Sequence, residues 1–256
     1  MSIKVAPVGH SRILSVGTYR PKRQVPNSEI VDRIDSTDEW IVQRTGIESR
    51  RFAGDDETVI SMAKAACEMA LKRAKLTITD IDTVILSTIS YPFQAPSAAT
   101  ELINELGNPK AAAFDISAAC AGFCYGVAMG SDLVRSGTSK NVLVIGVEKL
   151  SDYTDPDDRA TAFIFADGAG AVVIGQSDQP RIGQTIWGSD ADSRDAIMLT
   201  PSFLDFKKNP DKGVGELGWP NISQQGQVVF RWAVYSMSKV GLQALEAAGV
   251  SVDELG

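Results

Sequence analysis

Three short apolar segments, separated by helical patterns, constrain the fold of this chain more than any other feature of its sequence. Each has the length of a strand and few polar residues, which is typical of strands covered on both faces of a sheet. The predicted strands span residues 84–88, 111–116 and 141–148. The predicted helices alternate with them, at residues 58–75, 97–106 and about 119–137. This alternation predicts an α/β fold with a mostly parallel sheet and helices on both faces.

Further strands, a long loop and a helix are predicted outside this region. Residues 11–19 are predicted to form a first strand, and residues 182–188 another. Residues 189–221 are polar and long enough to suggest a functional surface loop. Residues 224–248 form a predicted helix that is apolar on most sides, so we expect it to be buried, and Gly249 ends it.

The composition is that of an ordinary globular protein. Of its 256 residues, 44% are hydrophobic and 22% are charged. The net charge of −7, without a cluster of Lys and Arg, argues against a nucleic-acid-binding protein. Three cysteines do not form a disulfide framework in a chain this long, and no apolar run reaches membrane-spanning length. We therefore expect a cytoplasmic protein with no nucleic-acid or membrane partner.

Cys120 falls at the turn between the strand predicted at 111–116 and the helix that follows it. Backbone N–H groups at a helix N-terminus are unpaired and favour a negative charge, so this position suits a thiolate nucleophile. Small neighbours, including Ala118 and Gly122, leave space for a substrate carbonyl. The alternative is that Cys120 is one more small apolar residue in a packed helix.

The other candidate groups have simpler interpretations. Cys67 lies on the apolar face of the helix at 58–75, where packing accounts for it. Cys124 follows Cys120 by four residues and is expected to pack behind it, and since further ligands are too few we predict no metal site. The glycines at 168–170 run directly into a predicted strand, which argues against a dinucleotide-binding loop.

Five motifs follow one another along the chain. They are Asp-Glu-Trp-Ile (38–41), Arg-Thr-Gly-Ile (44–47), Ser-Ala-Ala-Cys-Ala-Gly-Phe (117–123), Asp-Arg-Ala-Thr (158–161) and Phe-Ala-Asp-Gly-Ala-Gly-Ala (165–171). Together they resemble the β-ketoacyl-acyl-carrier-protein synthase III family of the thiolase superfamily. The resemblance implies a layered αβαβα fold made of two similar halves, and a homodimer. We accordingly expect a tail at 1–10, a complete first half at 11–179 and a truncated second half at 180–256.

The resemblance also implies a reaction in two steps. An acyl group moves from acyl-CoA, a substrate rather than a cofactor, onto Cys120 as a thioester. Malonyl-acyl carrier protein then loses carbon dioxide, and its carbanion attacks the thioester. The family's catalytic His and Asn have no match in this sequence, whose single histidine, His10, lies in the predicted tail. We therefore expect the 256 residues alone to be incomplete for condensation.

Several binding residues match the family's motifs. Trp40 and Arg159 match the pair that sandwiches the CoA adenine, and Arg44 matches a further CoA contact. Phe230 matches the lining of the substrate tunnel, and Arg231 matches a basic residue near its mouth, where it could meet the acidic carrier protein. The alternative for Arg231 is an internally paired residue of a buried helix. Without the matches, Trp40 would be taken for helix packing and Arg159 for a solvated charge.

The acyl pocket depends on the segment at 93–97. In the family, the residue before Pro-Ser closes the partner subunit's acyl pocket, and acetyl-preferring members have a bulky aromatic there. This chain has Ala95, with Gln94 beside it. Each methylene buried in the extra space would stabilise a bound primer by about 0.8 kcal/mol, so we expect a primer larger than acetyl. The alternative is that Phe93 or Phe203 fills the space.

Two other functions remain open at this point. A sister enzyme that supplies starter units for polyketide synthesis would share Trp40, Arg159 and Cys120. A homologue that binds acyl-CoA without condensing it would account for the absent His and Asn, although the intact Cys120 motif argues against it.

Overall fold

The computed structural model describes residues 8–255. The strands are β1 (His10–Tyr19), β2 (Arg23–Pro26), β3 (Ser49–Phe52), β4 (Thr83–Ser87), β5 (Ala112–Ile116), β6 (Asn141–Lys149), β7 (Asp167–Ser177), β8 (Ile197–Thr200) and β9 (Asn221–Gln224). The α-helices are α1 (Asp38–Thr45), α2 (Val59–Ala74), α3 (Ala98–Leu106), α4 (Gly122–Arg135), α5 (Phe203–Lys208), α6 (Gly213–Leu217) and α7 (Gly226–Ala248). No helix within residues 8–255 is both long and apolar enough to cross a membrane.

The chain forms two compact units. The first consists of residues 8–23, Arg51–Lys149 and Ala166–Ile182, and the second of Gln24–Arg50, Leu150–Phe165 and residues 183–255. The predicted tail at 1–10 lies mostly outside the described residues, but His10 already belongs to β1.

The first unit is built on a five-stranded sheet with the order β1-β7-β6-β4-β5. β4 pairs in parallel with β5 and with β6, as the alternation of strands and helices predicts. β7 runs antiparallel to both β6 and β1, so the prediction of a mostly parallel sheet was wrong. The reason lies in the connection from β6 to β7, which contains only a 3₁₀ helix, at Leu150–Tyr153, and no crossover α-helix.

Helices cover both faces of this sheet, as predicted. α2 and α3 pack on one face in a large apolar cluster that includes Met62, Cys67 and Leu102. α4 lies on the other face, in a cluster with Ile85, Val144 and Ile174. β4, which lies between β5 and β6, is buried along its whole length because both faces are covered.

α4 approaches the sheet closely because glycine recurs every fourth residue along its buried face. The three glycines are Gly122, Gly126 and Gly130. A Cβ atom at Gly126 would lie 2.7 Å from Val144 Cγ1, and one at Gly130 would lie 3.0 Å from Ile174 Cδ1. These distances leave no room for a side chain, so the glycines set how deeply α4 sits on the strands.

The second unit differs from two predictions. No strand forms at residues 182–188, whereas the stretch predicted to be a polar loop contains two paired strands, β8 and β9. α7 ends at Gly249 as predicted, but none of its residues is buried, so the expectation of a buried helix was wrong. Its apolar side chains include Phe230 and Tyr235, which are 69% and 75% exposed.

Candidate active site

The chain makes a sharp turn between β5 and α4, and Cys120 stands at its apex. A single 3₁₀ turn, Ala119–Ala121, leads directly into α4. Ala119 has a φ of +43°, a left-handed conformation that is unfavourable for a residue with a Cβ atom. Such strain is typical of functional sites, where surrounding structure holds the backbone in place. The Cys120 side chain is exposed, as a nucleophile must be.

The turn rests directly on the end of β4. A Cβ atom at Gly122 would lie 1.8 Å from Ser87 Oγ, so only glycine allows the start of α4 to approach Ser87 this closely. Within residues 8–255, no acceptor is found for the backbone N–H of Cys120. That N–H group is therefore able to donate to an oxyanion that forms on a bound thioester.

The other two cysteines differ from Cys120 and from each other. Burial raises the pKa of the Cys67 thiol, which remains protonated and unreactive in the core. Cys124 is exposed, so the prediction that it packs behind Cys120 was wrong. The glycine face of α4 turns towards the sheet, and Cys124 lies on another face of the helix. No group of three or more His, Cys, Asp or Glu residues suited to a metal ion occurs in the described part of the chain.

Trp40 lies at the centre of a separate cluster in the second unit. The Thr37 side chain caps α1 by accepting a hydrogen bond from the Trp40 N–H at 3.2 Å. The guanidinium carbon of Arg44, one turn further along α1, lies 4.7 Å from the Trp40 ring centroid, and that of Arg159 lies 5.3 Å from it. Phe163 contacts the indole edge-on, at 5.4 Å between centroids. The structure thus brings together all three residues predicted to bind CoA.

Arg159 is held from the opposite side by the chain near Asp35. Its guanidinium donates to the backbone carbonyls of Asp35 and Ile34. It also lies 3.6 Å from the Asp35 carboxylate, and half of its side chain is exposed. Asp35 itself has a φ of +47°, a second strained residue beside a predicted binding group. A partly exposed guanidinium next to an indole can stack on a purine or pair with a phosphate.

The residues predicted for the acyl pocket lie in exposed segments of both units. Ala95 and Gln94 belong to an exposed loop between β4 and α3 in the first unit. Phe93 and Phe203, the alternative fillers of the pocket, are 62% and 66% exposed. In the second unit, Phe230 and Arg231 are both exposed on α7.

A family profile for 3-oxoacyl-[acyl-carrier-protein] synthase III matches residues 114–191, which include the Cys120 turn. The β-ketoacyl-[acyl-carrier-protein] synthase III 1 of Streptomyces coelicolor is 51% identical over 251 residues, covering 96% of this chain and 73% of the relative. The chain belongs to the β-ketoacyl-acyl-carrier-protein synthase III family. It is a condensing acyltransferase of the type that initiates fatty acid synthesis.

Solved structures of synthase III relatives agree in fold. The priming β-ketosynthase of a polyketide biosynthetic pathway is 41% identical, with a TM-score of 0.94 over all of this chain and 75% of its own. The synthase III of Aquifex aeolicus is 36% identical, with a TM-score of 0.78, covering 96% of this chain and 74% of its own. The thiolase-like α/β fold inferred from the sequence motifs is therefore confirmed.

Sequence reasoning missed several residues that shape the synthase III site. Gly122, Gly126 and Gly130 give a signal at a spacing of four residues that would have placed Cys124 away from the sheet. The same spacing separates Trp40 from Arg44 and would have predicted their contact within α1. No sequence signal marks the left-handed conformations of Ala119 and Asp35, because both depend on tertiary structure.

Proposed function

We propose that Cys120 is the residue that takes the acyl group from acyl-CoA. The observation that supports this most directly is the exposed thiol at a strained turn, immediately before α4 and next to an N–H group without an acceptor. Attack of the Cys120 thiolate on the acyl-CoA carbonyl forms the new C–S bond. The tetrahedral intermediate then expels the CoA thiolate, and the Cys120 N–H stabilises the oxyanion in between.

We assign CoA binding to Trp40, Arg44 and Arg159. The indole and a guanidinium can enclose the adenine from two sides, and the remaining guanidinium is available for a phosphate. CoA arrives and leaves as part of the substrate, so the proposed reaction needs no resident cofactor.

The second substrate is proposed to be malonyl-acyl carrier protein, docked near Arg231. Arg231 is exposed on α7, where a cation can pair with an acidic carrier protein. We also propose that residues 11–179 form one thiolase-like half of the chain and 180–256 the start of the other. Two copies of the chain are proposed to form a homodimer that acts in the cytoplasm. β5 lies at an edge of the sheet, so a second copy could extend the sheet there. A monomeric mass by light scattering at micromolar concentration would contradict the dimer.

The primer is proposed to be larger than acetyl, because Ala95 and Gln94 leave space where an aromatic ring would close the pocket. Phe230 is proposed to line the substrate tunnel. A polyketide starter-unit role is the second candidate, and the observation that favours it is the TM-score of 0.94 with a priming ketosynthase over the whole chain.

The nucleophile is tested by mass spectrometry of the protein after incubation with isobutyryl-CoA. We expect one acyl adduct, on the peptide that contains Cys120, and its complete loss in Cys120→Ala. Cys124→Ala is the matched control, because Cys124 is also exposed and lies one helical turn away. An adduct that persists in Cys120→Ala, or that maps to Cys124, would overturn the assignment.

A further inference from the structure

The exposed loop that contains Ala95 is held at both ends by carboxylates from neighbouring strands. β4, which leads into the loop, lies between β5 and β6 in the sheet. Asp115 belongs to β5 and Glu148 to β6. We call these two residues the carboxylate clamp.

Glu148 fixes the chain where it leaves β4. Its carboxylate accepts hydrogen bonds from the Ile89 N–H at 2.9 Å, from Thr88 Oγ1 at 3.2 Å and from Ser90 Oγ at 2.5 Å. Ser90 Oγ accepts in turn from the Lys149 N–H at 2.8 Å, which closes the network onto β6. Burial raises the pKa of Glu148, because a negative charge is unfavourable away from water. The hydrogen bonds from these donors offset part of that cost.

Asp115 fixes the chain where it enters α3. Its two carboxylate oxygens accept from the Ala98 N–H at 2.7 Å and the Ala99 N–H at 2.8 Å. These are two of the N–H groups that the first turn of a helix leaves unpaired. Between the two anchor points, residues 92–96 are exposed. The clamp therefore determines where this loop projects, while leaving the loop itself free of the core.

We propose that Glu148 and Asp115 are positioning residues for primer selection, which set the location of Ala95 by fixing both ends of its loop. This inference rests on the proposed function, which places Ala95 at the end of the acyl pocket. A loop released at either end would shift Ala95, and a displacement of about 1 Å near a substrate can change a rate about a hundredfold.

The variants Glu148→Gln and Asp115→Asn test the clamp with little change in shape. Each amide keeps one oxygen that accepts hydrogen bonds, but an NH₂ group replaces the other oxygen. That NH₂ group then faces an N–H or hydroxyl donor, and the hydrogen bond between them is lost. The matched control is Glu57→Gln. Glu57 is also buried and accepts from the Gly54 N–H, the Lys22 N–H and Tyr19 Oη, but it holds segments that do not lead to Ala95.

The measurement is a competition between equimolar acetyl-CoA and isobutyryl-CoA, read as the ratio of the two adducts by intact-protein mass spectrometry. This ratio does not depend on the fraction of protein that is folded, so a loss of stability alone does not move it. We expect a change of about threefold or more in both clamp variants, and no change in Glu57→Gln.

An unchanged ratio in both clamp variants, with stability reduced as in Glu57→Gln, would overturn the proposal. The variant Ala95→Phe separates this failure from that of the proposed function. If Ala95→Phe shifts the ratio towards acetyl and the clamp variants do not, only the clamp is wrong. If none of the three variants shifts it, the assignment of Ala95 to the pocket is wrong as well.

Discussion

At the scale of single residues, the CoA site is a set of contacts around one indole ring. Arg44 reaches Trp40 along its own helix, whereas Arg159 comes from a distant segment that is anchored on Asp35. The two arginines therefore differ in how they are held. Arg44 is positioned by the turn of α1 that separates it from Trp40, and Arg159 by hydrogen bonds to backbone carbonyls.

We predict that Trp40→Ala raises the KM for acyl-CoA by about tenfold to a hundredfold, because stacking of a base on an aromatic ring contributes about 1–3 kcal/mol. The dependence of the single-turnover rate of Cys120 acylation on acyl-CoA concentration measures this. The KM for the corresponding acyl-pantetheine, which has no adenine, should not change. An equal rise for both substrates would mean that Trp40 supports the fold rather than the adenine.

Glu57 gives a prediction on the pH dependence of stability. Hydrogen bonds, first from the Gly54 N–H and then from Tyr19, hold the pKa of Glu57 below its ordinary value. Its contribution is therefore fully present above the unfolded-state pKa of about 4.3 and is lost as the pH falls through the lower folded-state value.

The variant Glu57→Gln should accordingly lower the melting temperature at pH 7 and differ less from the unmodified protein near pH 3. Thermal unfolding followed by circular dichroism between these pH values measures the difference. A constant difference across the range would show that the loss comes from packing and not from the charge of Glu57.

At the scale of elements, the glycine face of α4 packs closely against β4 and β6. We predict that Gly126→Ala lowers stability by about 1–3 kcal/mol, since its Cβ atom would overlap Val144 and force a shift of the helix or the strand. Gly241→Ala in α7 is the matched control, because nothing lies within 4 Å of a Cβ atom there.

The control should raise the stability of α7 by about 0.5–1 kcal/mol, which is the gain of alanine over glycine in a helix interior. Urea unfolding of both variants, monitored by helical circular dichroism, gives the comparison. Equal effects of the two substitutions would rule out close packing as the role of Gly126.

Most elements of the first unit could be predicted from sequence because their signals are local. Continuous apolar runs marked β4 and β6, and the helix predicted at 58–75 matched α2. The antiparallel direction of β7 could not be predicted from burial alone, since an apolar strand is covered equally well in either direction. The antiparallel direction of β7 was indicated instead by the absence of a helical pattern between β6 and β7.

The residues of the candidate site could also be predicted only in part, where their sequence signals are local. The motifs predicted which residues are present around Trp40, and the structure supplies their contacts. Cys124 was misplaced because its apolar character was weighed without the glycines that orient α4. α7 was misjudged for a related reason: an apolar pattern indicates a preference for burial but not which surface will provide it.

At the scale of the whole molecule, the exposed apolar side chains of α7 coexist with a net charge of −7. Charge repulsion opposes association of such surfaces, and it vanishes near the sequence pI of about 4.8. We therefore predict that self-association increases as the pH falls from 7.5 towards 5, as measured by dynamic light scattering.

Val234→Lys should reduce this association, because it places a charge among the exposed apolar residues of α7. Gln227→Lys is the control, because it adds the same positive charge at an exposed polar position of the same helix. Each added lysine makes the net charge of −7 less negative, so an equal effect of both variants would show that net charge and not the apolar surface of α7 governs association.

The loop at residues 92–96 also has a consequence for engineering. Because its side chains are exposed and its ends are fixed to β5 and β6, the loop is a cassette that can be exchanged between relatives without redesigning the core. Loops of the same length, grafted between Tyr91 and Ser97, would be expected to fold in register as long as the two carboxylates are retained. A collection of such chimaeras would vary primer choice on one constant scaffold.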